Sequence, residues 1–282
     1  MYSEINLDLQ SFAKRVYDSI LYQSTFYKFL NTAYIGELRQ TGAPVIEIAK
    51  TTPVSVNVRQ TKEIQTGLTP ALTTYTHTMV DLTELNMDYS IRVPLMVTGS
   101  DITNAIQDAA DLEDSAIARQ IDTYGYGKLA AASMDEFEWD PTTQADYIEL
   151  LTTLKATLFN KDIYSDYRLG LGAVEYAKLV AALTSVLKFE TLAGREGVDM
   201  GEVGRAYGVD AIFPINDAML NDIKGYFFNP IAVVGDTFFS AFVQHNSPQG
   251  YPGYYVLEGT QSFGAAVVRP EAIIRLVEEV SA

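Results

Sequence analysis

Apolar side chains recur every three or four residues in the first part of the chain, over residues 8–30. Leu9, Phe12 and Ile20 are among them. This spacing is typical of an amphipathic helix with one buried face, and Ser24 marks the point at which the helix is expected to break. The residues before the helix have no such pattern and are expected to form a loose arm.

The pattern changes to strict alternation in the next part of the chain. Apolar and polar residues alternate around Ile46 and again around Val56, which is the two-residue period of a β-strand. Gly67 and Pro70 interrupt the stretch, and a segment rich in Thr, Tyr and Val then resumes the extended pattern. We predict a long two-stranded β-ribbon over residues 44–80 with its tip near Gly67 and Pro70. Such a ribbon is marginally stable alone in water and needs a surface to lie on.

A long helical stripe follows from Ser100 to Ala132. Apolar residues recur at helical spacing through it, and Ser100 followed by Asp101 favours a helix N-terminus. At 1.5 Å per residue this helix would run roughly 50 Å, longer than an ordinary globular helix. Its acidic residues fall largely off the apolar stripe, so we expect them on the solvated face: Asp108, Asp111, Asp114 and Asp122.

Helices alternate with short strands from residue 140 onward, a pattern typical of an α/β segment. The sequence predicts helices at 142–159 and 173–187, strands at 166–172 and 209–215, and an exposed loop at 188–204. The remainder of the chain is mostly strand-like. The predicted fold class is therefore α+β.

Composition and charge narrow the classes of function. The 282 residues are 48% hydrophobic and 20% charged, which is typical of a globular protein with a sizeable core. The chain has 20 Lys and Arg and 36 Asp and Glu, which gives a formal charge of -16. This charge argues against a nucleic-acid-binding protein that depends on cationic contacts. No secretory signal is visible, and the longest charge-free run, Thr237–Leu257, is too polar for a bilayer span. We expect a soluble, intracellular protein that has no membrane partner.

The residue types that carry chemistry form no recognisable site. The absence of cysteine excludes a disulfide scaffold, a thiolate metal site and a cysteine nucleophile. His77 and His245 form no metal-ligand motif and are interpreted as ordinary residues. Ser100 lacks the G-x-S-x-G pattern of a hydrolase elbow. A divalent-ion site among the helix carboxylates is the minor alternative to a solvated face. We predict no catalytic residue, no metal and no cofactor, and therefore no enzyme.

Spaced glycines at Gly201, Gly204 and Gly208 raise the question of a nucleotide site. A dinucleotide fingerprint needs a strand, then G-x-G-x-x-G, then a helix. Here the order is loop, glycines, strand 209–215, so no helix N-terminus faces a phosphate. The glycines are interpreted as a turn that needs positive φ angles before the strand.

Three phrases in this order resemble the major capsid proteins of tailed bacteriophages, the Hong-Kong-97-type capsid fold. They are "AIARQIDTYGYGKL" at Ala116–Leu129, "GEVGRAYGVDAIFPIND" at 201–217, and "SFGAAVVRPEAIIRL" at Ser262–Leu276. Each phrase alone is weakly specific, but their order, with the arm, ribbon and long helix, matches the family over essentially the whole chain. The resemblance implies a shell subunit.

The resemblance also implies a division of the chain. Its parts are an N-terminal arm and helix (1–43), an extended β-ribbon loop that lies across a neighbouring subunit (44–80), a peripheral domain with the long spine helix (81–140 and 246–282), and an axial domain (141–245). Loops of the axial domain would meet at the five- and sixfold axes. The implied inter-subunit contact candidates lie in the ribbon and in the loop 188–204: Lys62, Gly67, Leu68, Pro70, Phe189, Arg195 and Glu196.

The implied partners are many copies of the chain itself, in pentamers and hexamers, with a portal protein and enclosed DNA that is bound without sequence specificity. The ribbon begins near residue 44, which leaves no room for a built-in scaffold domain, so a separate scaffolding protein is expected. Decoration proteins are left open. Lys62 lies in a suitable ribbon for a covalent crosslink, but no matching Asn and Glu are found, so none is expected.

Under this resemblance the protein belongs to the virion and is assembled in the host bacterial cytoplasm. Two alternatives remain at this point: an encapsulin-type nanocompartment shell, which shares the fold, and an acidic α/β enzyme. Gene context separates the first from a phage shell. The second requires convergent polar residues in one pocket, and the sequence shows none.

Overall fold

The computed structural model describes residues 18–31, 45–51, 75–94, 100–183, 207–246 and 253–278. Its longer helices are α1 (Ser100–Ala131), α2 (Gln144–Phe159) and α3 (Ala173–Leu183). Its strands are β1 (Val45–Thr51), β2 (Tyr75–Asp81), β3 (Leu85–Pro94), β4 (Asp135–Glu138), β5 (Arg168–Gly172), β6 (Ala211–Ile215), β7 (Gly225–Phe228), β8 (Val233–Asn246), β9 (Tyr254–Val267) and β10 (Ile273–Val277). The predicted α+β class is confirmed.

The N-terminal segment, defined here as residues 18–31, is helical up to Gln23. Its last helical hydrogen bond joins the Ser24 amide to the Ile20 carbonyl at 2.9 Å. A short 3₁₀ turn at Phe26–Phe29 follows. The predicted break at Ser24 is therefore confirmed, while the arm lies outside the described residues.

The structure describes the base of the predicted ribbon, which consists of β1 and β2. β1 pairs with β2 in antiparallel register, from Val45 opposite Asp81 to Thr51 opposite Tyr75. The alternating pattern that predicted two paired strands is confirmed over these residues. The predicted tip at Gly67 lies outside the described residues.

The long helix α1 spans 32 residues and begins at Ser100, as predicted. At its C-terminal end the Arg275 guanidinium donates to the carbonyls of Ala130 and Ala132 at 3.0 and 3.3 Å, a favourable place for a cation. The expectation that the helix acids are solvated is wrong for two of them: Asp114 and Asp122 are only 2% and 9% exposed.

A five-stranded sheet in the order β4-β10-β7-β5-β6 carries α2 and α3. α2 begins with a capping box, in which the Asp146 carboxylate accepts from the Thr143 amide at 2.7 Å and the Thr143 hydroxyl accepts from the Asp146 amide at 3.4 Å. This box satisfies amides that a helix start leaves free. The predicted alternation of helices and strands is confirmed where it is described.

A three-stranded antiparallel sheet in the order β3-β9-β8 packs against α1. The two larger sheets each contain strands from both sides of the domain boundaries that the resemblance implied. β4 and β10 hydrogen bond in the same sheet as β5, although the division separates them, and β8 pairs with β9 across the boundary at residue 246.

The largest core cluster lies between α1, the N-terminal segment and the two larger sheets. It contains Phe26, Phe29, Ile121, Phe228 and Phe263, all without exposed surface. A second cluster fills the space beneath α2 and α3 on the five-stranded sheet. The main core therefore joins both sheets to the long helix.

Candidate functional site

The base of the ribbon rests on a small apolar cluster, which we call the root cluster. It consists of Ile48, Val80, Leu82, Val234 and Val268, all buried. β1 and β2 contribute Ile48 and Val80 from one face of the ribbon. Leu82 follows β2, Val234 belongs to β8, and Val268 follows β9. Because side chains alternate between the two faces of a strand, one face of the ribbon base packs against residues of β8 and the end of β9.

A glycine allows the ribbon root to approach the sheet closely. A Cβ built on Gly264 of β9 would lie 1.9 Å from the carbonyl oxygen of Asp81 and 2.5 Å from the Cα of Leu82. Backbone atoms cannot move aside as a flexible side chain can. Only glycine fits at this position with the root in place.

The turn between β2 and β3 is stabilised by its own side chains. The Asp81 carboxylate accepts from the amide and the hydroxyl of Thr83 at 2.8 and 2.7 Å. These bonds hold the pKa of Asp81 below its ordinary value. Asn86 donates to the Thr83 carbonyl at 3.0 Å and closes the turn. The chain therefore leaves the ribbon through an ordered turn.

Glu84 connects this turn to α1. Its carboxylate accepts from the Lys128 ammonium and from the Tyr124 hydroxyl, the latter at 2.7 Å. The hydrogen bond from Lys128, and then that from Tyr124, lowers the pKa of Glu84. The Lys128 ammonium also lies 5.2 Å from the centre of the Tyr124 ring. Glu84 and Lys128 are both partly exposed, so the contact orients the turn more than it stabilises the fold.

The opposite face of the ribbon is open in a single copy of the chain. Met79 is 71% exposed and Val45 is 43% exposed. Glu47, which pairs with Met79 across the ribbon, is exposed on the same face. At the described base of the ribbon, one face is therefore buried and the other is exposed.

A buried carboxylate holds the N-terminal segment on α1. Asp122 accepts hydrogen bonds from the Ser24 hydroxyl at 2.5 Å, the Phe26 amide at 2.9 Å, and the hydroxyl and amide of Thr25 at 3.0 and 3.2 Å. Burial raises the pKa of Asp122, while these four bonds act in the opposite direction. Sequence inspection missed this residue. Its helical neighbours at i−4 and i+4 are Ala118 and Tyr126, and both are buried. The signal available in the sequence was that Asp122 shares a helix face with these two largely apolar residues.

Aromatic packing completes the anchor. The Phe29 ring stacks on Phe228 with centroids 3.8 Å apart, and Phe26 packs edge to face on Tyr126 and Phe263. Asn31 then donates its amide to the Val233 carbonyl at 2.8 Å. The N-terminal segment thus contacts α1 and both larger sheets.

Two glycines on α1 allow a matched prediction. A Cβ on Gly125 would lie 2.3 Å from the Phe26 ring, whereas a Cβ on Gly127 would meet nothing within 4 Å. We expect Gly125→Ala to lower the free energy of unfolding by about 1–3 kcal/mol, because the buried ring must move. Gly127→Ala should raise it by up to about 1 kcal/mol, through helix propensity alone.

Urea denaturation of the two alanine variants measures this difference. The variants carry the same substitution, two residues apart on one helix, so propensity cancels between them. Equal unfolding midpoints would show that Phe26 does not pack against Gly125.

The predicted inter-subunit contact residues all lie outside the described residues: Lys62, Gly67, Leu68, Pro70, Phe189, Arg195 and Glu196. Of the two histidines, His77 pairs with Ala49 in the ribbon and His245 pairs with Val256 in the three-stranded sheet. They therefore belong to different sheets. Among the described residues, no group of three or more His, Cys, Asp or Glu is placed to hold a metal ion.

The glycine-rich stretch forms a turn before a strand where it is described. Tyr207 and Gly208 have φ angles of 51° and 81°, and β6 begins three residues after Gly208. β6 then pairs in parallel with β5. The turn interpretation is confirmed at Gly208, while Gly201 and Gly204 lie outside the described residues.

One acidic cleft of about 420 Å³ lies between β4 and α2, lined by Glu138, Asp140, Asp146 and Glu149 among others. The Asp146 carboxylate is engaged in the α2 cap, and hydrogen bonds from Thr142 and Thr143 lower its pKa to about 2. Asp146 is therefore used for structure. Among the described helices, none combines the length and apolarity that crossing a bilayer requires.

Comparison with known proteins finds similar structures but no matching sequence. No family model matches the chain, and no curated protein matches its sequence. A structure of Mycobacterium phage Che8 shares 17% identity over 90% of this chain and 91% of its own, with a TM-score of 0.62. The capsid of cyanophage P-SCSP1u shares 15% identity over 85% and 84% of the two chains, with a TM-score of 0.59.

A third likeness is to a virus-like particle from Pyrococcus furiosus. It shares 10% identity over 96% of this chain and all of the other, with a TM-score of 0.54. At these identities the likenesses establish a common fold. The chain has a phage-capsid-like fold, and the resemblance noted in the sequence is confirmed at that level.

Proposed function

We propose that the chain is the major capsid protein of a tailed bacteriophage. Its copies assemble as pentamers and hexamers into an icosahedral shell that encloses double-stranded DNA. The observation that carries this proposal is the extent of the shared fold, which covers 85% of this chain and 84% of the cyanophage capsid chain. The role is structural, and we assign no catalytic residue, cofactor or metal.

The half-covered ribbon supports a role in contacts between copies. A two-stranded ribbon needs another surface for stability, and Met79 and Val45 on one face of its described base are exposed. We propose that the ribbon lies across a neighbouring copy and buries this face there. Burial of apolar surface between copies is the usual driving force for such assemblies.

We assign α1 as the spine helix and the five-stranded sheet with α2 and α3 as the axial domain. The peripheral domain then comprises α1 and the three-stranded sheet. Sheet membership supports this division, which moves β4 and β10 into the axial domain and β8 out of it. The candidate contacts in the ribbon and in the loop 188–204 stay as proposals for the inter-subunit and axial surfaces.

The charge of the chain agrees with a container for DNA. A formal charge of -16 disfavours adhesion of the shell wall to packed phosphate backbones. We further propose a portal protein and a separate scaffolding protein as partners, with decoration proteins as a further class, and assembly in the host cytoplasm before the subunit enters the virion.

Negative-stain electron microscopy of the expressed protein tests the proposal, with and without a scaffolding partner. Rings, capsomers or closed shells are the expected result. A monodisperse monomer under every condition, including with scaffolding protein, would contradict it.

Removing the ribbon tip should separate folding from assembly. We expect deletion of Thr61–Leu72 to leave a folded subunit, because the root cluster and the main core are retained. Assembly should be poor, since the covering element is shortened. Thermal unfolding reports the fold and microscopy reports the particles.

A control variant replaces the same residues with a Gly-Ser linker of equal length. It keeps the connection between β1 and β2 while removing the native side chains. If either variant assembles as well as the wild type, the ribbon assignment is wrong.

An encapsulin-type shell is the second candidate function, favoured by the likeness to the Pyrococcus furiosus virus-like particle. The two candidates differ in what the shell holds. Particles purified with a bound enzyme cargo favour the encapsulin type, whereas particles that need a scaffolding protein and take up DNA favour the phage shell.

A further inference from the structure

One methionine of the ribbon base is open to solvent. The chain has seven methionines, and the structure describes the side chains of Met79, Met87, Met134 and Met219. Met79 is 71% exposed, whereas Met87 on β3 is 9% exposed. Met134 and Met219 are partly buried against the main core. Among the methionines that the structure describes, Met79 is therefore the one that a reagent in water reaches most readily.

Met79 lies on the exposed face of the ribbon base. It stands opposite Glu47 in the antiparallel register, and Val45 is its diagonal neighbour on the same face. Val45 is 43% exposed, so the two apolar side chains form a small apolar patch beside the Glu47 side chain. An unbranched, polarizable thioether adapts well to the surface of a partner. Met79 is therefore suited to a contact between copies.

An exposed thioether reacts with peroxides. With hydrogen peroxide, a sulfur lone pair attacks one oxygen, the O–O bond breaks, and that oxygen stays on the sulfur. Its proton passes to the departing hydroxide, which leaves as water. The sulfur is oxidised by two electrons, the peroxide is reduced by two, and the product is methionine sulfoxide. An apolar side chain thereby becomes polar, and sulfoxide reductases reverse the change.

We propose that Met79 is a peroxide-sensitive modification site that controls association between copies of the chain. The thioether packs against a neighbouring copy, and the sulfoxide prevents this contact. Burial of the sulfoxide oxygen without a hydrogen-bond donor is costly, so copies that carry it associate weakly. This inference rests on the proposed function, in which a neighbouring copy buries the exposed face of the ribbon. It adds a chemical control of that contact.

Two leucine variants test the site. Met79→Leu keeps an apolar side chain of similar volume that peroxide cannot oxidise. Met87→Leu is the matched control, because it removes a buried methionine and retains Met79. The wild type and both variants are treated with hydrogen peroxide, and mass spectrometry of their proteolytic peptides gives the oxidation rate of each methionine. Light scattering and electron microscopy then give the protein concentration at which half of each chain assembles.

We expect Met79 to be oxidised at least about tenfold faster than Met87 in the wild type, because oxidation follows exposure. Oxidation should raise the half-assembly concentration of the wild type and of Met87→Leu by about tenfold or more, and leave that of Met79→Leu nearly unchanged. Sulfoxide reductases should restore the wild type. The urea midpoint should stay the same after oxidation, since Met79 is exposed in the single chain.

Three results would overturn the proposal. They are equal oxidation rates at Met79 and Met87, normal assembly of chains that carry the sulfoxide at position 79, and the same peroxide sensitivity in Met79→Leu as in the wild type. All three assembly comparisons start from untreated chains that form particles. An untreated wild type that forms none under any condition would instead contradict the proposed function, and the control of association would fall with it.

Discussion

Replacing Phe29 with alanine is expected to lower the free energy of unfolding by about 3–5 kcal/mol, the usual cost of removing a phenylalanine from a packed core. Phe29 has no exposed surface. Its ring stacks on Phe228 and meets Phe213 and Tyr126 edge to face, at 5.9 and 5.7 Å between centroids. A cavity at this point loosens the N-terminal segment from α1 and from the five-stranded sheet together.

Phe159→Ala is the matched control, since the Phe159 side chain is 53% exposed at the end of α2. Equilibrium urea denaturation of the wild type and both variants provides the comparison. We expect the control to stay within about 1 kcal/mol of the wild type. A cost at Phe29 no larger than that at Phe159 would mean that the N-terminal segment is not part of the core.

Replacing Asp122 with alanine is the second large effect, expected at about 2–5 kcal/mol. The substitution leaves the amides of Thr25 and Phe26 without their acceptor, and buried donors without partners are costly. Asp122→Asn should cost less, because the amide oxygen still accepts one of these bonds. Asp140→Ala, at an exposed acid, is the control and should change stability by less than about 0.5 kcal/mol.

The pH dependence of this effect has a definite sign. Burial raises the pKa of Asp122 above its ordinary value of 3.8, so the folded chain binds the proton more tightly than the unfolded chain. Its contribution to stability is fully present below about pH 4 and is lost as the pH rises through the folded-state pKa. The advantage of the wild type over Asp122→Asn should therefore be larger near pH 4 than at neutral pH.

Urea midpoints of the two proteins across this range measure the difference. The opposite trend, an advantage that grows toward neutral pH, would show that the four hydrogen bonds outweigh the desolvation of the carboxylate. In that case Asp122 would be held ionised in the folded chain.

Local periodicity by itself determined the elements. The helical stripe defined α1 almost to the residue, and the two-residue alternation identified β1 and β2 as the paired strands of a ribbon. Turn chemistry located the break at Ser24 and the turn at Gly208. These features depend on side chains that are close in sequence, so they can be predicted from the sequence of the segment itself.

Only the tertiary structure decided which distant residues meet. Asp122 was expected in solvent, but the N-terminal segment covers it from almost a hundred residues away in the chain. The closeness of Gly264 to the carbonyl of Asp81 and the grouping of β4 and β10 with β5 likewise have no local signature. The hydrophobic periodicity of a segment predicts which face of a helix or strand is buried. It does not predict which residues cover that face, because packing partners depend on the fold of the whole chain.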